Sequence, residues 1–475
     1  MDTDTPTPAP TATPAPELTD TPAPELTRAA ARPQRGDELE LTIDSLAYGG
    51  AGVARTDGYV VFVSGAVPGD RVRAVIGKRK RAWAEARTVE ILEPSPDRVA
   101  PVADHPGAPW QVLPYERQLE VKHQQVDDAL RRIGKLEGYV LEDIVPAVSQ
   151  WRYRNKLEYS FGTGPAGELQ CGFHAPGRWD EIVALTDCHL ASEPANAARE
   201  RIVAWCRDQG LTAYDRRSGE GMLRNLVVRE GRRTGAIQVR LVTAEGKLDR
   251  ESLIAAGAGF DGLLWTRQKS LGETTLGGET ELLAGTERFE EVLGGMTFAI
   301  SAEAFFQTNT EMAEQLYELA IDYAQPGGFE RVYDLYCGIG TIALSIAPRV
   351  AEVWGLELVE EAIADAIGNA RANEIDNVHF FAGDVRLALR ELTEKAGRPD
   401  VLIVDPPRAG LSQKVVRRII EASASRIIYV SCNPTTLAPN AAQLVEAGYR
   451  LARVRPVDMF PQTPHIECVA ELVRG

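Results

Sequence analysis

Arg331-Val-Tyr-Asp-Leu-Tyr-Cys-Gly-Ile-Gly340 is the stretch on which the reading of this chain turns. Among its first six residues Val332, Tyr333, Leu335 and Tyr336 are apolar or aromatic, and the run predicts a strand. Cys337-Gly338-Ile339-Gly340 predicts a tight turn, and an apolar helix follows to Ala347. The same rhythm continues downstream. Val353–Leu356 reads as a strand ending at Glu357, followed by a helix from Val359 to about Ala372. Val378–Phe381 is a third strand, ending near Asp384. Val401–Val404 is a fourth, capped by Asp405-Pro406-Pro407-Arg408, and Ile427–Val430 a fifth. Two last strands fall near Leu451–Val457 and Cys468–Leu472. Strands alternating with helices predict an α/β, Rossmann-like, doubly wound sheet.

Sites in such sheets lie at the carboxyl ends of the strands. Glycine at the first turn lets a ligand approach the backbone, and Glu357 is placed to accept hydrogen bonds from a ribose diol. The full dinucleotide fingerprint is missing, because Ala343 stands where a third glycine is wanted. A sulfonium ligand needs no phosphate cradle, so S-adenosylmethionine is the favoured cofactor, with Asp384 on its adenine amino group. Ser431 and Cys432 follow the fifth strand and precede the Asn433-Pro434 turn. A cysteine at that lip is a candidate nucleophile. Glu467 begins the final strand at the same sheet edge. A thiolate and a carboxylate facing one pocket suit addition followed by proton removal.

The rest of the chain supplies context. With 475 residues, two or three domains are expected. The net charge of −16 weighs against a polyanionic partner, but the cations cluster. Six scattered cysteines without a CxxC pair argue against disulfides or a four-cysteine zinc site and fit a reducing cytoplasm; no metal is expected. No apolar run is long enough to span a membrane, and the start of the chain is not a secretory signal. Residues 1–34 are rich in Thr, Pro and Ala with interspersed acids, and read as a disordered tail. Residues 35–95 contain short alternating strands broken by Gly and Pro, a small β-barrel. Its Gly77-Lys-Arg-Lys-Arg-Ala-Trp83 run suits a phosphate backbone with a base stacked nearby. Residues 96–295 form a central α+β domain. Its helix 115–133 is a candidate to pack on the catalytic domain at 296–475. On a strand, Arg152, Arg154 and Lys156 would share one phosphate-binding face, with further cations at Arg216-Arg217, Arg224, Arg229 and Arg232-Arg233.

Taken in order, Asp334–Gly340, Gly355–Glu357, Asp405–Leu411, Ser431–Pro434 and Phe460–Glu467 resemble the RNA uridine-5-methyltransferase family, whose members make 5-methyluridine in ribosomal and transfer RNA. Ser301–Asn309 resembles the family's entry into the catalytic domain, and residues of the barrel resemble a TRAM (OB-like) domain. The resemblance implies a class I methyltransferase fold. It implies cofactor contacts from Gln307, Tyr336, Glu357 and Asp405, with Asp384 added. Thr341 stands where relatives often carry Asn. It further implies attack by Cys432 at uracil C6 and proton removal at C5 by Glu467, on a base swung out of its stack. The RNA partner is expected to be ribosomal (23S-like) ahead of transfer RNA, and the enzyme monomeric and cytoplasmic. A non-catalytic RNA-binding protein on the same scaffold is the contrasting reading.

One departure stands out. Many ribosomal members carry an iron–sulfur cluster on four cysteines, three of them before the run that here is Gln111, Tyr115, Gln118, Leu119 and Lys122. The corresponding stretch, 102–110, has no cysteine, which leaves Cys188 alone. A cluster needs four ligands, so none is expected, and Cys188 reads as a packed remnant.

Overall fold

The computed structural model describes residues 33–56, 58–270 and 272–475; the tail read at 1–34 lies almost wholly outside them. The first unit is a six-stranded sheet in the order Glu38–Thr42, Arg71–Arg79, Trp83–Glu93, Tyr59–Ser64, Gly52–Thr56, Ser45–Leu46. Alternation along Arg71–Arg79 drives it: Val72, Ala74 and Ile76 point into the core, while Arg71 and Arg73 pair outside with Glu40, Glu93 and Glu90. The cationic run is not a free hairpin tip. Lys78 and Arg79 lie in the strand, Lys78 paired to Glu85 and Arg79 bonded to Gln34. Trp83 opens the next strand and packs edge-on to Phe62 at 5.8 Å. Lys80 and Arg81 form the exposed tip.

The central unit is a seven-stranded mixed sheet from Lys156–Thr163 to Glu279–Gly285. Helices Glu193–Asp208 and Arg250–Ala256 contribute to its core, through Ile202, Val203 and Leu253 among others. The shared face expected of Arg152, Arg154 and Lys156 is overturned here. Regular strand begins only at Lys156, and Arg152 has φ +56°, which turns its side chain onto Asp187 at 2.6 Å. Arg154 lies over the Phe460 ring at 5.6 Å, and Lys156 is tied to Glu158. Arg224 and Arg229 are also buried, donating to main-chain carbonyls. These cations hold the domain together instead of lining its surface.

The catalytic sheet has eight strands in the order Val378–Ala382, Glu352–Glu357, Arg331–Leu335, Val401–Val404, Arg426–Ser431, Glu467–Arg474, Tyr449–Val457, Val140–Leu141. The first five are parallel, and Glu467–Arg474 returns antiparallel beside Arg426–Ser431. Helices cover both faces, giving two apolar cores. Helix Tyr115–Asp128, continued by a π-turn at Ala129–Ile133, packs on the core that also holds Leu437 and Ala438. The hairpin Phe289–Leu293 and Met296–Ile300 packs in the other core with helix Thr310–Ala324. No helix among the described residues is long and apolar enough to cross a membrane.

Candidate active site

Two neighbouring strands set the chemistry. Ser431 and Cys468 are directly opposed in the antiparallel pair. Cys432 therefore leaves the sheet at the edge where Glu467 enters it. Cys432 is partly exposed, whereas Glu467 is 3% exposed. Burial pushes the Cys432 thiol up to about 12, with the carboxylates of Glu467 and Asp405 adding to the effect and Arg408 opposing it. Burial, then Asp405, raises Glu467 well above the ordinary carboxyl range. Electrostatically, the three groups belong to one site.

Asp405 is held at the end of Val401–Val404, and burial alone pushes it to about 7. Its loop is laced to helix Pro434–Glu446, which follows Cys432: the Arg408 carbonyl accepts from Nδ2 of the capping Asn433 at 3.1 Å, and Asn440 Oδ1 accepts from the Leu411 amide at 2.8 Å. Arg408 Nη2 meets His465 Nδ1 at 2.6 Å. Burial and Arg408 hold His465 down at about 4, so the ring is neutral and accepts that bond.

A narrow cleft of about 30 Å³ lies at the glycine turn, lined by Phe305, Tyr336, Gly338, Thr341, Asp405 and Asp334 among others. Tyr336 and Gly340 take positive φ, +67° and +87°, the turn that lets the Gly338 amide point at Glu357 Oε2, 3.2 Å away. Glu357 Oε1 accepts from the Leu358 and Val359 amides. The cleft thus brings Tyr336 and Asp405 together, with Glu357 at its turn. Gln307 is buried at the end of the 301–309 segment, its carbonyl accepting from Asn155 Nδ2 at 2.8 Å. Asp384 caps helix Val385–Ala396, and its carboxylate is ion-paired with Arg386; any adenine contact competes with that pair. Thr341 Oγ1 is 3.3 Å from the Tyr317 hydroxyl.

Three participants went unassigned at the level of sequence. Asp334 is fully buried in the Arg331–Leu335 strand, and neither carboxylate oxygen has a hydrogen-bond partner of good geometry. Burial and Asp405 push it to about 8. Its signal was visible: an acid amid apolar strand residues. Tyr48, from the barrel, donates to the Cys432 carbonyl at 3.0 Å, a contact no local pattern announces. His465 lies within the quoted Phe460–Glu467 run, but only the fold shows its bond to Arg408.

A buried acid at a cleft beside a second buried acid either keeps its proton or takes a cation, and the sulfonium and ammonium of S-adenosylmethionine fit the second state. An iron–sulfur cluster does not fit: the 102–110 stretch places His105 Nε2, not a thiol, 3.2 Å from the buried Cys188 Sγ. Among the described residues, no group of three or more His, Cys, Asp or Glu could hold a metal ion.

Comparison with known proteins meets this geometry. Residues 294–474 match the tRNA (uracil-5-)-methyltransferase family model, and residues 32–89 match the TRAM domain. An uncharacterized RNA methyltransferase of Halalkalibacterium halodurans is 37% identical over 92% of this chain and 97% of its own length. One of Porphyromonas gingivalis is 39% identical over 92% of this chain and 100% of its own. The crystal structure of Pyrococcus abyssi tRNA (uracil-54, C5)-methyltransferase in complex with S-adenosyl-L-homocysteine superposes with a TM-score of 0.75. It is 29% identical and covers 91% of this chain and 99% of its own. The chain belongs to the family of S-adenosylmethionine-dependent RNA uracil-5-methyltransferases.

Proposed function

We propose that this chain methylates C5 of a uridine in RNA by covalent catalysis through Cys432, with large-subunit ribosomal RNA as the target class. The observation that carries the mechanism is the strand register that opposes Ser431 to Cys468 and so sets Cys432 beside Glu467. Uracil C5 is a poor nucleophile. Cys432 Sγ adds to C6, giving C5 enolate character. S-adenosylmethionine, when bound, supplies the methyl group. Glu467 then takes the C5 proton, the C6–S bond breaks, and Cys432 leaves as it entered. Gln307, Tyr336, Glu357 and Asp405 hold the cofactor, Asp384 meets its adenine, and Asp334 faces its cationic end. A cation in that cleft lowers the thiol and carboxyl values that burial has raised, which couples cofactor binding to activation of the nucleophile. Residues 35–95 bind RNA as a barrel, 96–295 form the central domain, 296–475 carry the chemistry, and the protein works as a cytoplasmic monomer.

The test uses transcripts of ribosomal and transfer RNA carrying 5-fluorouridine, whose C5 has no proton to lose. Wild type should form a covalent adduct that survives denaturation, and Cys432→Ala should form none. Glu467→Gln should accumulate an adduct with ordinary uridine, because elimination needs the proton removed. An adduct in Cys432→Ala at the wild-type level rules the nucleophile out; no wild-type adduct leaves the non-catalytic reading. Transfer RNA is the second reading, favoured by the Pyrococcus likeness. Mapping 5-methyluridine in RNA from cells lacking the protein separates the two.

A further inference from the structure

The central sheet carries a second cleft, built from residues the chemistry above does not use. It lies between the strands Lys156–Thr163, Leu169–Ala175 and Arg178–Ala184 and the 213–217 loop, with a volume of about 290 Å³, near the lower end of small-ligand pockets at about 300–1,000 Å³. Trp179 lines it and is 53% exposed, an unusual place for a large indole. The guanidiniums of Arg216 and Arg217 lie 5.8 and 5.1 Å from the ring centroid. Glu273 receives His174 Nε2 at 2.7 Å and the Ser160 hydroxyl at 2.6 Å, and is ion-paired with Arg216.

Two buried atoms in the cleft wall have no partner: Asn225 Oδ1 and His174 Nδ1. Asn225 is 3% exposed, and its amide nitrogen donates to Ser160 Oγ at 3.2 Å, which turns the bare oxygen the other way. The ring nitrogen of His174 that meets Glu273 carries the proton, which leaves Nδ1 as an acceptor. The cleft therefore offers an aromatic face, an exposed cation and, in its buried wall, two unsatisfied acceptors. Arg217 is 69% exposed, and its pair with Asp180 is a surface one, cheap to exchange for a phosphate. A flat ring with N–H donors on its edge and a phosphate attached matches all three.

We propose that this cleft holds one unstacked nucleotide of the RNA substrate, distinct from the methylated uridine. The base stacks on Trp179, its amino or imino edge donates to Asn225 and His174, and its phosphate meets Arg217. The proposal rests on the reading of the protein as an RNA-modifying enzyme and adds a recognition site to it.

The experiment measures adduct formation on the 5-fluorouridine transcripts as a function of RNA concentration for wild type, Trp179→Ala, Trp179→Phe and Arg217→Gln. Base–aromatic stacking sets the scale: Trp179→Ala should raise the half-saturating RNA concentration about 10-fold and leave the saturating rate unchanged. Trp179→Phe should retain most of the wild-type behaviour. Arg217→Gln should weaken binding and reduce its salt dependence. Half-saturation unchanged in Trp179→Ala overturns the proposal, as does a lower saturating rate at unchanged half-saturation. If wild type forms no adduct, the catalytic reading fails on its own, and filter binding of the same transcripts to wild type and Trp179→Ala decides this site separately. Mononucleotides that quench Trp179 fluorescence while the variant binds RNA normally would assign the cleft to a free nucleotide and overturn the RNA proposal.

Discussion

Replacing Asp334 by Asn tests the cleft as a cation site without touching Cys432. The Asp334 carboxyl is fully buried and pushed from 3.8 to about 8 by burial and Asp405. The folded state thus holds this proton more tightly than the unfolded chain does. The group's contribution to stability is complete below its unfolded value of 3.8 and is lost as pH rises through 8. The separation corresponds to on the order of 5 kcal/mol between the two limits. Relaxation and water entry reduce such buried-charge penalties, and about 2–3 kcal/mol should be realised. Thermal unfolding of the cofactor-free protein, followed from pH 5 to 8.5, should show wild type losing stability with rising pH, by roughly 5 °C more than Asp334→Asn. Burial pushes Asp405 to about 7 in the wild-type chain, inside the same pH window, so the difference between the two curves is the diagnostic quantity. Excess S-adenosylhomocysteine should restore wild type at high pH and restore the variant less. Parallel curves for the two proteins would refute the reasoning, because an unpaired buried acid could not then be what makes the cleft demand a cation.

Two further outcomes follow from single contacts. Lys122 Nζ and Asp458 Oδ1 are 2.6 Å apart with both side chains 0% exposed. Lys122→Met strands the carboxylate and should cost about 3–5 kcal/mol in urea unfolding, while Lys122→Met with Asp458→Leu should recover most of it; a loss below about 0.5 kcal/mol in the single variant would show the pair to be solvated. Tyr48→Phe removes the hydrogen bond to the Cys432 carbonyl. At about 1 kcal/mol, adduct formation at saturating RNA should slow about five-fold, and an unchanged rate would make the barrel contact passive.

The catalytic sheet was legible in the sequence because its strands are buried on both faces and read as uninterrupted apolar runs, as in Ile427–Val430. Cys432 and Glu467 were picked out because strand ends carry sites, and the fold puts each at such an end on neighbouring strands; their roles as nucleophile and base belong to the proposed function. What failed was periodicity in the central domain. Arg152, Arg154 and Lys156 alternate in sequence as a strand would, but the positive φ at Arg152 and its bond to Asp187 break the register. The alternation reflected packing partners: Tyr153 is buried with its hydroxyl on the Pro461 carbonyl. Likewise the cations at Arg224 and Arg229 looked like a surface and proved to be interior struts. Charge in a sequence shows that a partner exists; only the fold shows whether that partner is nucleic acid or the protein's own carbonyl oxygens.

The segment from Asp458 to Ile466 explains why four separate stretches of chain converge on this site. It is irregular, with Gln462 at φ +65°, and buried main chain of that kind must find partners outside itself. They come from every side. Trp110 N–H donates to the Gln462 carbonyl, and Gln118 exchanges two hydrogen bonds with Gln462. Lys122 donates to the Phe460 carbonyl, Tyr153 to that of Pro461, and Asn309 to that of Met459. The barrel adds Gly50, which packs against Pro464, and Tyr48 at Cys432. Glu467 emerges from this bracing with a carboxyl that burial, and after it the charge of Asp405, makes costly to ionise. A loop free to relax would let that carboxyl turn to water and lose its raised value, so the rigidity supplied by the barrel, the helix and the central domain is what keeps Glu467 in its buried setting. The barrel, the helix and the central domain thus hold the Glu467 carboxyl in place together, and at Tyr48 the barrel's own loop touches the backbone of Cys432.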